Sequence, residues 1–221
     1  MSSPAPAKPS ASVVVVRGAH SLEVLLVRRN EKITFHGGAW VFPGGRVDAG
    51  DAGVDELEIA KRAAVREALE ETGLTLTVES MLPFSHWTTP VDLPKRFATW
   101  FFAAVIEGTP EVKVDHSEIV DYRWITPTAA LELHAAGELN LPAPTFVTLL
   151  RFKPMVSAAA LAAHLRETEI HHFVPRLVPI DDGRCTLYRE DAGYATGDFE
   201  APGARHRLIM QGTDWKYIRE F

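Results

Sequence analysis

The chain has one cysteine in 221 residues, Cys185. A single thiol excludes an intrachain disulfide, and with it the framework that holds many small secreted domains together. Cys185 therefore reads as a small buried hydrophobe. No apolar stretch reaches the eighteen residues a membrane-crossing helix needs. After Met1, residues 2–12 are Pro, Ala and Ser with a single Lys, and lack the continuous apolar core of a signal peptide. The ending Arg219-Glu220-Phe221 is not a peroxisomal address, so a cytoplasmic protein is the default expectation. An excess of positive charge is missing too. The net charge of -6 and pI near 5.8 argue against a sequence-independent nucleic-acid binder. Any anionic substrate must then be met by a few local cations. Beyond the N-terminus there is no low-complexity tract, and there is no internal repeat.

What is present is an unusual density of acid. The run Arg66-Glu67-Ala68-Leu69-Glu70-Glu71-Thr72-Gly73 sets three carboxylates at i, i+3 and i+4 behind an arginine and before a glycine stop. Side chains at that spacing share a helical face, and like charges there destabilise an isolated helix. No Lys or Arg stands four residues after Glu67, Glu70 or Glu71, as a merely solvated acidic face would have. A hard divalent ion answers the repulsion. Mg2+ takes oxygen ligands and is usually held by one or two carboxylates together with substrate phosphates. Upstream, Val41-Phe42-Pro43-Gly44-Gly45 reads as a strand end breaking into a turn whose bare backbone lets a ligand approach closely.

Together these residues resemble the box of the Nudix hydrolases: glycine, five residues, an acid, seven residues, then Arg-Glu-apolar-x-Glu-Glu-x-Gly-apolar. The second half matches through Leu74. In the first half Gly45 is followed after five residues by Asp51, where the family usually has Glu, and fourteen residues separate Asp51 from Arg66. A seven-residue loop insertion after Asp51, residues 52–58, accounts for the difference. Aligning Glu58 instead would leave it without a suitable glycine turn. The resemblance implies a Nudix α/β/α sandwich with a mixed sheet, and a metal-dependent hydrolase of a nucleoside diphosphate linked to another group. Glu67, Glu70 and Glu71 with a carbonyl of Gly44 or Gly45 would hold Mg2+ or Mn2+. Arg66 would orient a box glutamate, and Glu67 or Glu118 would take the proton of the attacking water.

The segment Leu25-Leu26-Val27-Arg28-Arg29-Asn30, Gly38 and the Phe42-Pro43-Gly44-Gly45 turn are similar in spacing to the motif of coenzyme A diphosphatases in this family. Val27 replaces a Thr, Asn30 a Ser or Ala, and Thr34 an Arg. A broader similarity from Gly38 to Phe152, carried by Trp87-Thr88-Thr89-Pro90, Lys95-Arg96-Phe97, Arg123-Trp124-Ile125 and Leu141-Pro142-Ala143-Pro144-Thr145, points to an acyl-CoA diphosphatase subgroup in which the same loop is long. The implied substrate is CoA or acyl-CoA, with ADP-ribose or NADH as the alternative and a non-catalytic ligand-sensing module as the third reading. Arg29, Arg46 and Arg96 are the cations suited to phosphate. Trp87 or Trp124 offers a ring for an adenine, although aromatics in apolar stretches usually lie in a core.

The elements expected are a disordered tail over 1–11, strands over 12–17, 22–28 and 40–42, a catalytic helix over 56–72, strands over 74–78, 97–106 and 123–125, and helices over 128–136 and 144–152. This makes 12–154 the Nudix domain. Residues 155–221 read as a C-terminal β-rich extension: a helix over 157–166, strands over 172–180 and 185–189, and a hairpin of 207–210 with 215–218. A pair of strands is marginal alone, so the extension would cover the core sheet, form a separate lobe or make a homodimer contact. His164, His171 and His172 lack the spacing of a zinc site.

Overall fold

A computed structural model describes residues 5–34 and 36–221. Its centre is strand β1 (Lys8–Arg17), whose Ser12 to Val16 run is buried on both faces. Ala11, Val13 and Val15 point to one side and Val14 and Val16 to the other, as the two-residue strand period requires. One edge of β1 pairs in parallel along its length with β6 (Phe97–Val105). The other edge is shared: Ser10, Ala11 and Ser12 face β4 (Gly44–Arg46), and Val16 with Arg17 meets β2 (Glu23–Arg29). Beyond β2 lie β3 (Trp40–Val41) and β7 (Ile119–Ile125). Beyond β6 lie β5 (Leu82–Thr88) and the short β8 (His171–Phe173).

Helix α1 (Glu56–Thr72) covers one face. Asp55 caps it by accepting the Glu58 N–H at 2.8 Å, and the Glu58 carboxylate reaches back to the Val54 N–H at 3.1 Å, a reciprocal cap of the kind that marks helix starts. Gly73 ends it at φ +70° with its N–H on the Leu69 carbonyl. Ala60, Ala63, Ala64 and Ala68 face the sheet, and their small side chains let the helix lie close to it. Helices α2 (Pro127–Ala135), α3 (Ala143–Phe152) and α4 (Ala158–Glu167) contribute to the core on the opposite face.

A second, four-stranded antiparallel sheet follows, β9 (Arg176–Ile180), β10 (Gly183–Leu187), β11 (Arg205–Gln211) and β12 (Asp214–Glu220). Tyr188, Leu208 and Met210 enter the same apolar cluster as Val14, Trp87 and Phe152, so these strands cover the main sheet. Cys185 is fully buried, and burial pushes its thiol up to about 11.

Four expectations need correction. Lys8 to Ala11, read as tail, are strand, because β4 and β6 supply partners for their backbone; residues 1–4 lie outside the described set. Residues 74–78 form no strand. Leu74 and Leu76 alternate because both bury in the apolar cluster that holds the α1 alanines. Strand β5 went unread because Pro83 interrupts it, and that proline sits where the pairing with β6 shifts register. The stretch 172–180 is two strands in different sheets, parted at Pro175.

The second sheet is pinned by one buried ion pair. Arg207 Nε and Nη2 each lie 2.7 Å from Asp191, which also accepts the N–H groups of Gly193 and His206. Asp191→Ala leaves the arginine charge buried without its partner and is expected to lower stability by about 3–5 kcal/mol, read from the urea midpoint. Replacing both residues with leucine should cost much less.

Candidate active site

The acids of α1 are brought against the glycine turn by the sheet. Because β4 pairs with β1, Gly44 lies opposite Ser12 and Gly45 opposite Ala11. The Ser12 hydroxyl and the Val13 N–H both donate to the Pro43 carbonyl, at 3.0 and 2.9 Å. Gly44 has φ +155°, and a Cβ there would collide with Ala11 and Ser12; a Cβ on Gly45 would run into the Glu67 carboxylate. Both positions need glycine for close approach. The Gly44 N–H donates to Glu71 Oε2 at 2.9 Å, joining turn to helix.

Arg66 organises the rest. All five of its hydrogen bonds are 2.9–3.0 Å long: two to the Asp51 carboxylate, one each to Glu67 and Glu70, and one to the Arg46 carbonyl. Burial alone would raise the Asp51 carboxyl. The Arg66 guanidinium and the Asp48 N–H outweigh it and hold it below its usual range. The same contacts hold Arg66 charged well above its usual range, the Asp51 hydrogen bonds first. Asp51 is only 6 % exposed, so sequence reasoning placed this residue in the box but missed its task of fixing Arg66. No local signal in the sequence marks this pairing, because Asp48, Asp55, Glu56 and Glu58 also precede Arg66. Glu58 caps the helix and pairs with Arg62 at 2.6 Å, which supports placing the box acid at Asp51. Residues 56–58 form the first turn of α1.

Burial raises the carboxyls of Glu71 and Glu67. Glu71 is 5 % exposed, and burial pushes its carboxyl up to about 8 despite the Gly44 N–H, with Glu67 and Glu118 adding repulsion. Glu67 is raised by burial, against the Arg66 contact. Glu70 is exposed and held by Arg66. Glu118, just before β7, acts electrostatically on both Glu67 and Glu71 and stands 3.9 Å from Arg29. Its loop is fixed by Asp115, which accepts the N–H groups of Ser117, Glu118 and Ile119. Asp115 was not visible as part of the site from sequence.

The remaining candidates divide. Arg29 lies beside Glu118 and acts on Glu71, and Arg46 is exposed at the end of β4. Arg96 donates to the carbonyls of Ala5 and Thr89 and so ties down the start of the chain. Trp87 is 5 % exposed, stacked 3.9 Å from Phe173 and edge-on to Tyr188. It is a core residue with no face free for an adenine, which corrects that expectation. One face of Trp124 is covered by Arg17.

Among the described residues no three His, Cys, Asp or Glu side chains form a ready ligand group. The donor chemistry fits a hard cation all the same: every oxygen is a carboxylate or carbonyl, and Glu71 sits buried beside like charges that a divalent ion would relieve. The sign of the pH dependence follows from Glu71. Between pH about 4.5 and about 8 the native state of the metal-free protein holds a proton that the unfolded chain has released, so stability falls as pH rises through that window. Glu71→Gln should remove this contribution to the slope of urea midpoint against pH in a chelating buffer; an unchanged slope contradicts the assignment.

A NUDIX domain family model matches residues 6–146. A putative nudix hydrolase 7 of Caenorhabditis elegans is 27% identical over 64% of this chain and 59% of its own length. A human acyl-coenzyme A diphosphatase is 34% identical over 61% of this chain and 39% of its own. The chain thus spans 59% and 39% of those two curated relatives. A NUDIX hydrolase from Alicyclobacillus acidocaldarius superimposes with a TM-score of 0.64 at 23% identity, over 72% of this chain and 96% of that one, which agrees with the mixed sheet and its helices. With its box glutamates drawn onto a glycine turn and the family model covering well over half its length, the chain belongs to the Nudix family.

Proposed function

We propose that this chain is a Mg2+- or Mn2+-dependent hydrolase that splits the pyrophosphate of a nucleoside diphosphate derivative, with CoA or acyl-CoA as substrate and 3',5'-ADP and phosphopantetheine or its acyl form as products. The observation that carries the reading is the join between Gly44 and Glu71 beside an Arg66 that holds Glu67 and Glu70. CoA is favoured by the motif over residues 25–45 and by the human acyl-coenzyme A diphosphatase among the relatives. ADP-ribose or NADH is the second reading, favoured by Thr34, which stands where the CoA motif has an arginine. A non-catalytic sensing module is disfavoured because it would be free to lose the acids.

In this reading Glu67, Glu70 and Glu71 hold the ion, with a carbonyl from the Gly44–Gly45 turn. A divalent ion bound there would supply charge neutralisation for the pyrophosphate and a lowered pKa for the attacking water. Arg66 fixes the rotamers of Glu67 and Glu70. Arg29 meets a phosphate oxygen from the β2 side, and Arg46 from the rim. Glu67 or Glu118 accepts the proton of the water in this reading, Glu118 being the one that acts electrostatically on Glu67 and Glu71 from outside the helix. Glu118→Gln separates them: if Glu118 is the base, the variant loses kcat with metal affinity intact, and if Glu67 is the base, kcat is retained.

A panel of CoA, acyl-CoA, ADP-ribose and NADH assayed with each metal tests the substrate. Glu70→Gln and Glu71→Gln should each lower kcat by about a hundredfold or more while the fold is retained, because each removes a charged ligand. Unchanged turnover at saturating metal in either variant overturns the site. Thr34→Arg should tighten CoA about tenfold or more, the worth of one charge-assisted phosphate contact, and dephospho-CoA less. Equal gains would place the new charge on the shared pyrophosphate.

A further inference from the structure

Glu118 lies in the loop that leads into β7, and residues 115–118 are all exposed. Its backbone is nevertheless fixed on both sides. In the peptide group before its Cα, the Ser117 carbonyl accepts Asn30 Nδ2 at 3.0 Å and the Glu118 N–H donates to Asp115 Oδ2 at 2.8 Å. In the peptide group after it, the Glu118 carbonyl accepts the Asn30 N–H at 2.8 Å and the Ile119 N–H donates to Asp115 Oδ1 at 2.8 Å. A residue has two soft backbone dihedrals, and holding both flanking peptide planes sets them. Four hydrogen bonds from two residues therefore decide the direction in which the Glu118 side chain leaves the loop.

The two residues are themselves held. Asn30 follows Arg29 at the end of β2, where the pairing with β7 shifts register between Arg28 and Arg29; bulges of this kind re-aim side chains beside active sites. Asn30 Oδ1 accepts the Lys32 N–H at 3.1 Å and its carbonyl accepts the Ile33 N–H at 3.0 Å, which locks it in a turn. Asp115 also accepts the Ser117 N–H at 3.1 Å and the Ser117 hydroxyl. His116, enclosed by these bonds, has a left-handed φ of +58°, uncommon for a residue with a side chain and kept only where the surroundings impose it. Arg29, next to Asn30, stands 3.9 Å from the carboxylate so placed.

Water competes for every one of these surface bonds, so they add little to the stability of the fold. What they fix is one carboxylate. In the CoA motif the position of Asn30 carries Ser or Ala, which lack the reach of its amide, so this clamp is a feature of the present chain. We propose that Asn30 and Asp115 are positioning residues for the hydrolysis, acting through Glu118. The assignment rests on the reading of the site as a pyrophosphate hydrolase in which Glu118 takes part. A proton acceptor must stand within hydrogen-bond reach of its proton, and a misplacement of about 1 Å can cost about a hundredfold in rate.

The test is a double-mutant cycle on kcat, with whichever of CoA, acyl-CoA, ADP-ribose and NADH the full chain hydrolyses, beside amide hydrogen exchange by NMR on the metal-free chain. Asn30→Ala and Asp115→Ala should each speed exchange at the Glu118 and Ile119 amides about tenfold or more, with the urea midpoint near that of the wild type. Each should lower kcat about tenfold or more, with the same split between kcat and KM as Glu118→Gln. In the Glu118→Gln background neither should cost anything further, because residues acting as a unit are not additive. Asn30→Ser should behave as Asn30→Ala. Equal losses with and without the Glu118 carboxylate, unchanged exchange at both amides, or wild-type kcat in both clamp variants overturns the proposal. Full turnover by Glu118→Gln overturns it too and leaves the hydrolase reading standing, whereas a wild type that hydrolyses none of the four compounds overturns that reading and the proposal with it.

Discussion

The five hydrogen bonds of Arg66 are the contact on which the arrangement of the site depends. One guanidinium spans three pieces of chain: the loop after the glycine turn through Asp51, the turn strand through the Arg46 carbonyl, and the helix through Glu67 and Glu70. Each carboxylate alone would repel its neighbours, and the fork geometry of arginine satisfies them from one centre where a lysine ammonium has too few donors. The turn and the helix are otherwise joined at this point by the single Gly44 to Glu71 hydrogen bond. The site is therefore held by charge, on a scaffold held by apolar packing.

That division explains the electrostatics. Alanines bring α1 close to the sheet, and this closeness buries Glu71 and half-buries Glu67 against glycines that leave no room for a side chain. Burial and mutual repulsion then favour protonation or a cation, the condition under which a hard divalent ion is bound most strongly. Residues 52–58 do not disturb it. Their last three extend the helix, and the rest form a loop closed at both ends, by Asp51 on Arg66 and by Asp55 on Glu58.

Much of this was legible in the sequence because its signals are local. The spacing of Glu67, Glu70 and Glu71, the Pro-Gly-Gly turn and the glycine stop gave α1 with both of its ends. What depends on distant partners was not legible. Leu74 and Leu76 have the alternation of a strand but bury in the cluster that holds the α1 alanines, and Pro83 hid β5 because its bulge is visible only beside β6. Trp87 reads alike as a stacking platform and as core, and only Phe173, eighty-six residues later, decides it. Arg96 and Arg29 are equally plausible phosphate contacts in sequence, yet one holds the chain start while the other stands beside Glu118.

The account rests on the Arg66 and Asp51 pair acting as one unit, and a double-mutant cycle of Arg66→Met and Asp51→Asn, followed by urea unfolding of the metal-free protein, tests that claim most directly. The two variants should be non-additive by about 1–3 kcal/mol, the coupling expected of side chains sharing one hydrogen-bonded network. Additivity within about 0.5 kcal/mol would contradict it.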